Sequence, residues 1–229
     1  MRMTYKLLTK ATTYIMILFL FILTKGITND EMLILINDQN PVPNNWEVEL
    51  VNFGRLKIAK IIEDPLTKLF EQAKSEGIHL ILASGYRSKK KQEENRKNNI
   101  DFLIKTEKMT LKQAIEETNR YFAEPGKSEH ETGLAVDILS EDFNRFDEGF
   151  ADTDAGKWVA EHGPEFGFII RYPKDKVDTT GKAYEPWHLR YLGKKVAKEI
   201  TDEGICLEEW HTKNLKKETL LIGPKQLKN

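Results

Sequence analysis

In 229 residues the chain has one cysteine, Cys206. A single thiol can form neither an intrachain disulfide nor a cysteine-based metal cluster. Its setting, Gly204-Ile-Cys-Leu207, reads as a small buried hydrophobe rather than a nucleophile. A cationic surplus is missing too. The formal charge is −1, and without the four cations of residues 1–25 the remainder carries 31 basic against 36 acidic residues. No basic stripe is left to hold a nucleic acid, so nucleic-acid partners are excluded. No internal repeat stands out. Long apolar runs are equally scarce: the one candidate is residues 11–24, unbroken by a polar residue from Tyr14 to Leu23. It is short for a span of roughly 20 residues. Arg2, Lys6 and Lys10 precede it, the layout of a signal peptide or signal anchor. No small-x-small cleavage site follows. An exported, extracytoplasmic protein, membrane-anchored or secreted, is therefore expected.

What is present suits one domain with a substantial core and appendages: 40% hydrophobic and 31% charged residues, ordinary for a globular chain. The divisions expected are 1–31 (signal segment and short tether), 32–210 (catalytic domain) and 211–229 (a basic, mobile C-terminal tail). Met32–Ile36 reads as a strand. Asp64-Pro65 reads as an N-cap followed by the first helical residue, with Leu66, Leu69, Phe70 and Ala73 at helical spacing after it. Ile78–Ala83 suggests a buried strand. Ser88 caps a helix whose Lys89–Lys91 run is a solvated face, and Thr110 with Gln113 fits a capping box. Strand character returns at 133–139, 168–171 and 188–191, with helices at 152–161 and 196–203. Strands and helices mix without regular βαβ alternation. The expected class is α+β, a small, largely antiparallel sheet flanked by helices.

Two segments carry the chemistry: Ser128-Glu-His-Glu-Thr-Gly-Leu-Ala-Val-Asp137 and Glu185-Pro-Trp-His188. They offer two histidines, an aspartate and a glutamate in an order that suits a three-ligand catalytic zinc. Three protein ligands leave a fourth position for water, toward which Glu185 can act as general base. Gly133 breaks the chain between His130 and Asp137, which puts His130 on a loop and Asp137 on the strand after it. A carboxylate within Leu134-Ala-Val-Asp-Ile-Leu139 needs a cation nearby, because burying it unpaired is costly. Each histidine taken alone is more often a packed residue than a ligand; the combination is what points to a hydrolase. His79 and His162 read as structural, and Trp187 as packing beside His188.

Three ordered blocks, Ser84-Gly-Tyr-Arg-Ser88, Ser128-x-His130-x-x-Gly-Leu-Ala-x-Asp137 and Glu185-x-Trp-His188-x-Arg-Tyr191, resemble the signatures of VanY-type D-alanyl-D-alanine carboxypeptidases. These are zinc peptidases related to the VanX and VanXY dipeptidases. The similarity extends from about Leu33 to Glu209. It implies a hedgehog/D-Ala-D-Ala peptidase-like fold, with His130, Asp137 and His188 as Zn²⁺ ligands and Glu185 as catalytic base. Arg87 would polarise the scissile carbonyl, and Gln92, Ser128 and Tyr172 would line the subsite of the terminal D-residue. The implied activity is removal of the terminal D-Ala from peptidoglycan stem pentapeptides by Glu-assisted attack of zinc-bound water, with a role in glycopeptide resistance. An L,D-carboxypeptidase on tetrapeptide stems and a non-catalytic zinc-bearing binding module remain open at this point. The expected partners are a stem peptide or its precursor and, through the N-terminal segment, a membrane. A monomer is expected.

Overall fold

The computed structural model describes residues 27–222; the apolar segment at 11–24 lies outside them. A hairpin of β1 (Leu50–Phe53) and β2 (Leu56–Ala59) leads into helix α1 (Glu63–Ser75). Strand β3 (Leu80–Ser84) is followed by helices α2 (Lys89–Lys105) and α3 (Leu111–Tyr121). Next come β4 (Ala135–Ser140), α4 (Asp154–Phe166), β5 (Phe168–Ile170) and β6 (His188–Tyr191), then α5 (Lys194–Glu203) and α6 (Leu207–Ile222). The main sheet has the order β3-β4-β6-β5, and every neighbouring pair is antiparallel. The α+β class and the antiparallel sheet are as expected from sequence.

Alternation divides β4 and β6 between two jobs. Successive side chains on a strand point to opposite faces. Val136, Ile138 and Leu189 join Leu66 and Leu69 of α1, Trp158 and Val159 of α4, and Phe168 in the main core. The other face carries Asp137, His188 and Arg190. There Asp137 stands opposite His188 and Ala135 opposite Arg190. All six residues of β4 are buried, so the polar face is as enclosed as the apolar one.

Four local readings are corrected. Met32–Ile36 forms no strand: a short helix, Asn29–Met32, runs into irregular chain. Side chains rather than a neighbouring strand satisfy its carbonyls. Arg190 Nη2 donates to Met32 O (3.0 Å) and Ile34 O (2.8 Å), and His211 Nε2 to Leu33 O (2.7 Å). Asp64 is not the N-cap of α1. A 3-10 turn at Lys60–Ile62 moves the start to Glu63, and Asp64 sits in the first turn, paired with Lys68 at 2.7 Å. β3 is an edge strand, half-buried, with Ile81 37% exposed. Finally, α6 runs without a break through the expected boundary at 210, with Trp210 buried.

Helices α2 and α3 form a hairpin with polar contacts along it. Ser88 Oγ accepts from Lys91 N, and Thr110 makes the expected capping box with Gln113. Between the helices Gln92 Nε2 donates to Ala123 O (2.7 Å), Arg96 Nη2 to Asn119 Oδ1 (2.7 Å) and Asn99 Nδ2 to Thr118 Oγ1 (2.9 Å). The hairpin faces a one-residue bulge in β3, where Ala83 has no partner between the Leu82–Ile138 and Ser84–Asp137 pairs. Such bulges bend a strand and change the direction of the chain beyond it; here the residues re-aimed are Gly85, Tyr86 and Arg87.

Gly85 is required there, since a Cβ would run into the Lys57 carbonyl oxygen of β2. Gly85→Ala is expected to lower the unfolding free energy by about 1–3 kcal/mol. Urea unfolding of the metal-free chain reads this, and an unchanged midpoint would show that β2 and the end of β3 can part at no cost.

Candidate metal centre and active site

His130 lies in a 3-10 turn, Glu129–Thr132, that ends at Gly133 with φ 75°. That left-handed residue favours glycine, and a Cβ on it would crowd Ala59 of β2. Two reciprocal bonds tie the turn to the end of β3: His130 Nδ1 to Gly85 O (2.7 Å), and Arg87 N to His130 O (3.1 Å). A carbonyl can only accept, so Nδ1 carries the proton and Nε2 presents a lone pair. His188 opens β6 directly opposite Asp137 and uses its nitrogens the other way round. Its Nδ1 faces Asp137 Oδ1 at 2.9 Å, while its Nε2 faces Glu129 Oε2 at 3.4 Å.

Three donor atoms therefore converge. His130 Nε2 lies 3.2 Å from His188 Nδ1 and 3.3 Å from Asp137 Oδ2. Atoms bound about 2.0–2.1 Å from a tetrahedral zinc lie about 3.3–3.4 Å from one another. Two lone pairs and a carboxylate aimed at one point repel unless a positive charge stands between them. Donor types, spacing and electrostatic need all fit zinc. His130, Asp137 and His188, all buried, are the group among the described residues that could hold a metal.

Without the metal, a proton takes its place. Burial would lower the pKa of His188, but its bonds to Asp137 and Glu129 outweigh that and raise it to about 9. Burial, helped by Arg87, lowers His130 to about 4. Burial would raise Asp137, yet the two imidazoles hold it well below the usual carboxylate range. The pair of histidines thus carries one positive charge, and the extra proton resides on His188.

The expected base and the expected carbonyl-polarising group meet at a cavity of about 820 Å³. Arg87, Asp137, Glu185 and Trp187 line it, with the α2–α3 hairpin as its far wall. Glu185 is buried, its Oε1 has no hydrogen-bond partner, and its Oε2 stands 3.9 Å from His188 Nδ1. Burial pushes its pKa up to about 8. Arg87 Nε is likewise buried and unpartnered. Two uncommitted polar groups beside one cavity are what a substrate or water would satisfy.

Gln92, Ser128 and Tyr172 are buried and are not among the residues lining that cavity. Gln92 Nε2 is committed to Ala123 O, and its Oε1 has no partner. Tyr172 stacks on the His188 ring, centroids 5.0 Å apart at 29°. Cys206 is buried, and burial raises its thiol to about 11, in keeping with a structural role.

The sequence reading overlooked Glu129, Arg171, Arg190 and Glu208. Glu129 Oε1 accepts from Arg171 Nε (2.7 Å) and Arg190 Nη1 (2.8 Å), all three side chains fully buried. Burial alone would raise the Glu129 pKa, but the two guanidiniums hold it far below the carboxylate range. A signal was available: arginines inside the apolar runs Phe168-Ile-Ile-Arg171 and His188-Leu-Arg-Tyr191 require buried anions.

A metal-binding centre with a buried carboxylate and an arginine at its mouth defines a hydrolase of the metallopeptidase kind. Residues 55–194 match the family described as VanY, D-alanyl-D-alanine carboxypeptidase, and the chain belongs to that family. A D-alanyl-D-alanine carboxypeptidase of Enterococcus faecalis is 38% identical over 187 residues, 81% of this chain and 68% of the relative. Among solved structures, a vancomycin-resistance D,D-pentapeptidase VanY complexed with Zn(II) is 39% identical with a TM-score of 0.71, covering 78% of this chain and 98% of that one. The LdcB LD-carboxypeptidase is 38% identical with a TM-score of 0.67, covering 80% and 87%.

Metal binding must displace the His188 proton. Below about pH 9 that proton is present in the metal-free chain, so zinc affinity is expected to fall about tenfold per pH unit as pH drops from 8 to 6. Calorimetry in buffers of different ionisation enthalpy should show at least one proton released per zinc. An affinity flat across this range would mean that His188 is neutral before metal arrives.

Proposed function

We propose that this chain is an extracytoplasmic zinc-dependent D,D-carboxypeptidase that removes the terminal D-alanine from peptidoglycan stem pentapeptides. The carrying observation is the convergence of His130, Asp137 and His188 beside Glu185, a buried carboxylate with an uncommitted oxygen. Family membership supports the substrate class. Export and membrane tethering rest on the cationic and apolar N-terminal segment. Among the described residues no helix is long and apolar enough to cross a membrane.

When bound by His130, Asp137 and His188, zinc supplies Lewis acidity, which lowers the pKa of water toward about 7 and polarises a carbonyl. The protein supplies the rest. A cation beside Glu185 favours its ionised form, and Oε1 then accepts a proton from the attacking water. As the peptide C–N bond breaks, the same oxygen delivers that proton to the departing amine of D-alanine. The Arg87 guanidinium, uncommitted at Nε, donates to the carbonyl oxygen as negative charge grows on it, where a fixed donor contributes most. Trp187 and Phe146, rings 5.8 Å apart, wall the cavity and limit water. Gln92, Ser128 and Tyr172 are assigned to the subsite of the terminal residue on the family resemblance alone, since none of the three lines the cavity. Removing the last D-alanine destroys the D-Ala-D-Ala end that vancomycin-type antibiotics bind, so we assign the enzyme a place in glycopeptide resistance.

An L,D-carboxypeptidase acting on tetrapeptides is the second reading, because the LdcB structure, at 38% identity against 39%, is nearly as similar in sequence as the D,D-enzyme. A zinc-bearing module without catalysis is disfavoured by the presence of both Glu185 and Arg87.

Product analysis on UDP-muramyl-pentapeptide, the matching tetrapeptide and free D-Ala-D-Ala tests the reading. D-alanine released from the pentapeptide and abolished by chelator is the expected result; cleavage of the tetrapeptide alone would assign L,D specificity. Glu185→Ala should retain zinc and lose roughly 10²–10⁴-fold in kcat, whereas His188→Ala should lose the metal. Full activity in Glu185→Ala would remove Glu185 from the mechanism.

A further inference from the structure

His188 reaches the metal centre through Nδ1, so its orientation depends on what holds Nε2. That partner is Glu129 Oε2, at 3.4 Å. Because an ionised carboxylate only accepts, the contact fixes the proton on Nε2 and leaves Nδ1 free to ligate. Glu129 is itself held by its other oxygen, which takes Arg171 Nε at 2.7 Å and Arg190 Nη1 at 2.8 Å.

Each arginine is anchored outside residues 55–194, the part that matches the family. Arg171 forms a bidentate pair with Glu208 of α6, Nη1 to Oε2 at 2.9 Å and Nη2 to Oε1 at 2.7 Å. Arg190 Nη2 is taken by the carbonyls of Met32 and Ile34. Glu208 Oε1 also accepts from Asn37 Nδ2 at 3.2 Å, which joins the N-terminal segment to the C-terminal helix. The formal charges balance, two guanidiniums against two carboxylates. No member can be removed without leaving a buried charge short of a partner.

We propose that Glu129 is a positioning residue for the metal ligand His188, and that residues 32–37 and helix α6 reach the metal centre through Arg190, Arg171 and Glu129. The two flanks thus set the affinity of the site as well as closing the fold. This rests on the reading that His130, Asp137 and His188 bind zinc.

The test uses the full chain and three variants: Glu129→Gln, Glu208→Gln, and Leu69→Ala. Leu69 lies in the core on α1, so its variant measures how far lost stability alone moves the site. Zinc affinity is read by competition with a chelating dye, ligand geometry by the visible spectrum of the Co(II)-substituted protein, and stability by urea unfolding without metal. Loss of the carboxylate behind a ligating histidine characteristically costs about 10–100-fold in metal affinity. That loss is expected for Glu129→Gln with an altered Co(II) spectrum. A several-fold loss is expected for Glu208→Gln, although Glu208 has no contact with a ligand. Leu69→Ala should lower stability and leave affinity and spectrum unchanged.

Parental affinity and spectrum in both acidic-site variants, or losses no larger than that of Leu69→Ala, would overturn the proposal. If Glu129→Gln does not fold, Glu208→Gln decides, since its side chain is 12% exposed. A parent chain that binds no zinc refutes the functional reading and this inference with it. A parent that binds and turns over substrate, with unaltered variants, refutes only the inference.

Discussion

The carboxylate of Asp137 lies in the middle of a strand buried on both faces, and the electrostatic cost of putting it there organises everything nearby. It faces two imidazoles, one across the sheet on β6 and one on the turn that precedes its own strand. Antiparallel pairing makes the first contact automatic, because residues opposite each other share a face. The left-handed Gly133 makes the second, turning the chain from His130 into β4. The resulting cluster has too much electron density at one point to be stable by itself, and so it selects a cation. Stability and metal affinity are here two aspects of one arrangement, as linkage between folding and metal binding requires.

Around this point the protein sorts its charges into two compartments. Behind His188, away from the cavity, both Glu129 oxygens are committed, one to the two arginines and the other to His188. Toward the cavity, Glu185 and Arg87 keep atoms uncommitted. The cavity side would be unsuited to holding a ligand rigid, and the rear would be unsuited to catalysis. Rigidity comes from the rear because charge-assisted, bidentate bonds restrict both partners. Reactivity comes from the front because a polar atom without a partner gains most from whatever arrives.

Much of this was legible in the sequence, and the reasons differ from residue to residue. His130, Asp137 and His188 were legible as a group because metal chemistry restricts ligand types and because a carboxylate inside Leu134–Leu139 has no innocent explanation. The caps at Ser88 and Thr110 were legible because they depend only on residues three positions apart. Met32–Ile36 was misread because a run of apolar residues says nothing about who takes its carbonyls; Arg190 and His211, more than 150 residues away, do so in place of a strand. The Glu129 network was missed for a related cause. Its members are separated by 42 and 61 residues along the chain, and no local spacing rule connects them. Strand order was also unreadable, since β4 pairs with β3 and β6 through contacts that leave no local trace.

Two glutamates in one site end up with opposite acidities, and their surroundings explain why. Burial acts on both in the same direction, toward the neutral acid. For Glu129 two guanidiniums within 2.8 Å overcome it, so this group stays an anion and can hold a proton on His188 Nε2. For Glu185 no such partner exists, and burial prevails, raising its pKa to about 8. That is its state without metal; zinc bound beside it would favour the ionised form and draw its pKa back toward neutrality, where a carboxyl can take up a proton and return it. Had the arginines stood beside Glu185 and the open cavity beside Glu129, the same residues would have made a weak metal site and a poor base. The roles follow from placement of the two arginines, and that placement follows from β5 and β6 lying side by side at the edge of the sheet remote from β3.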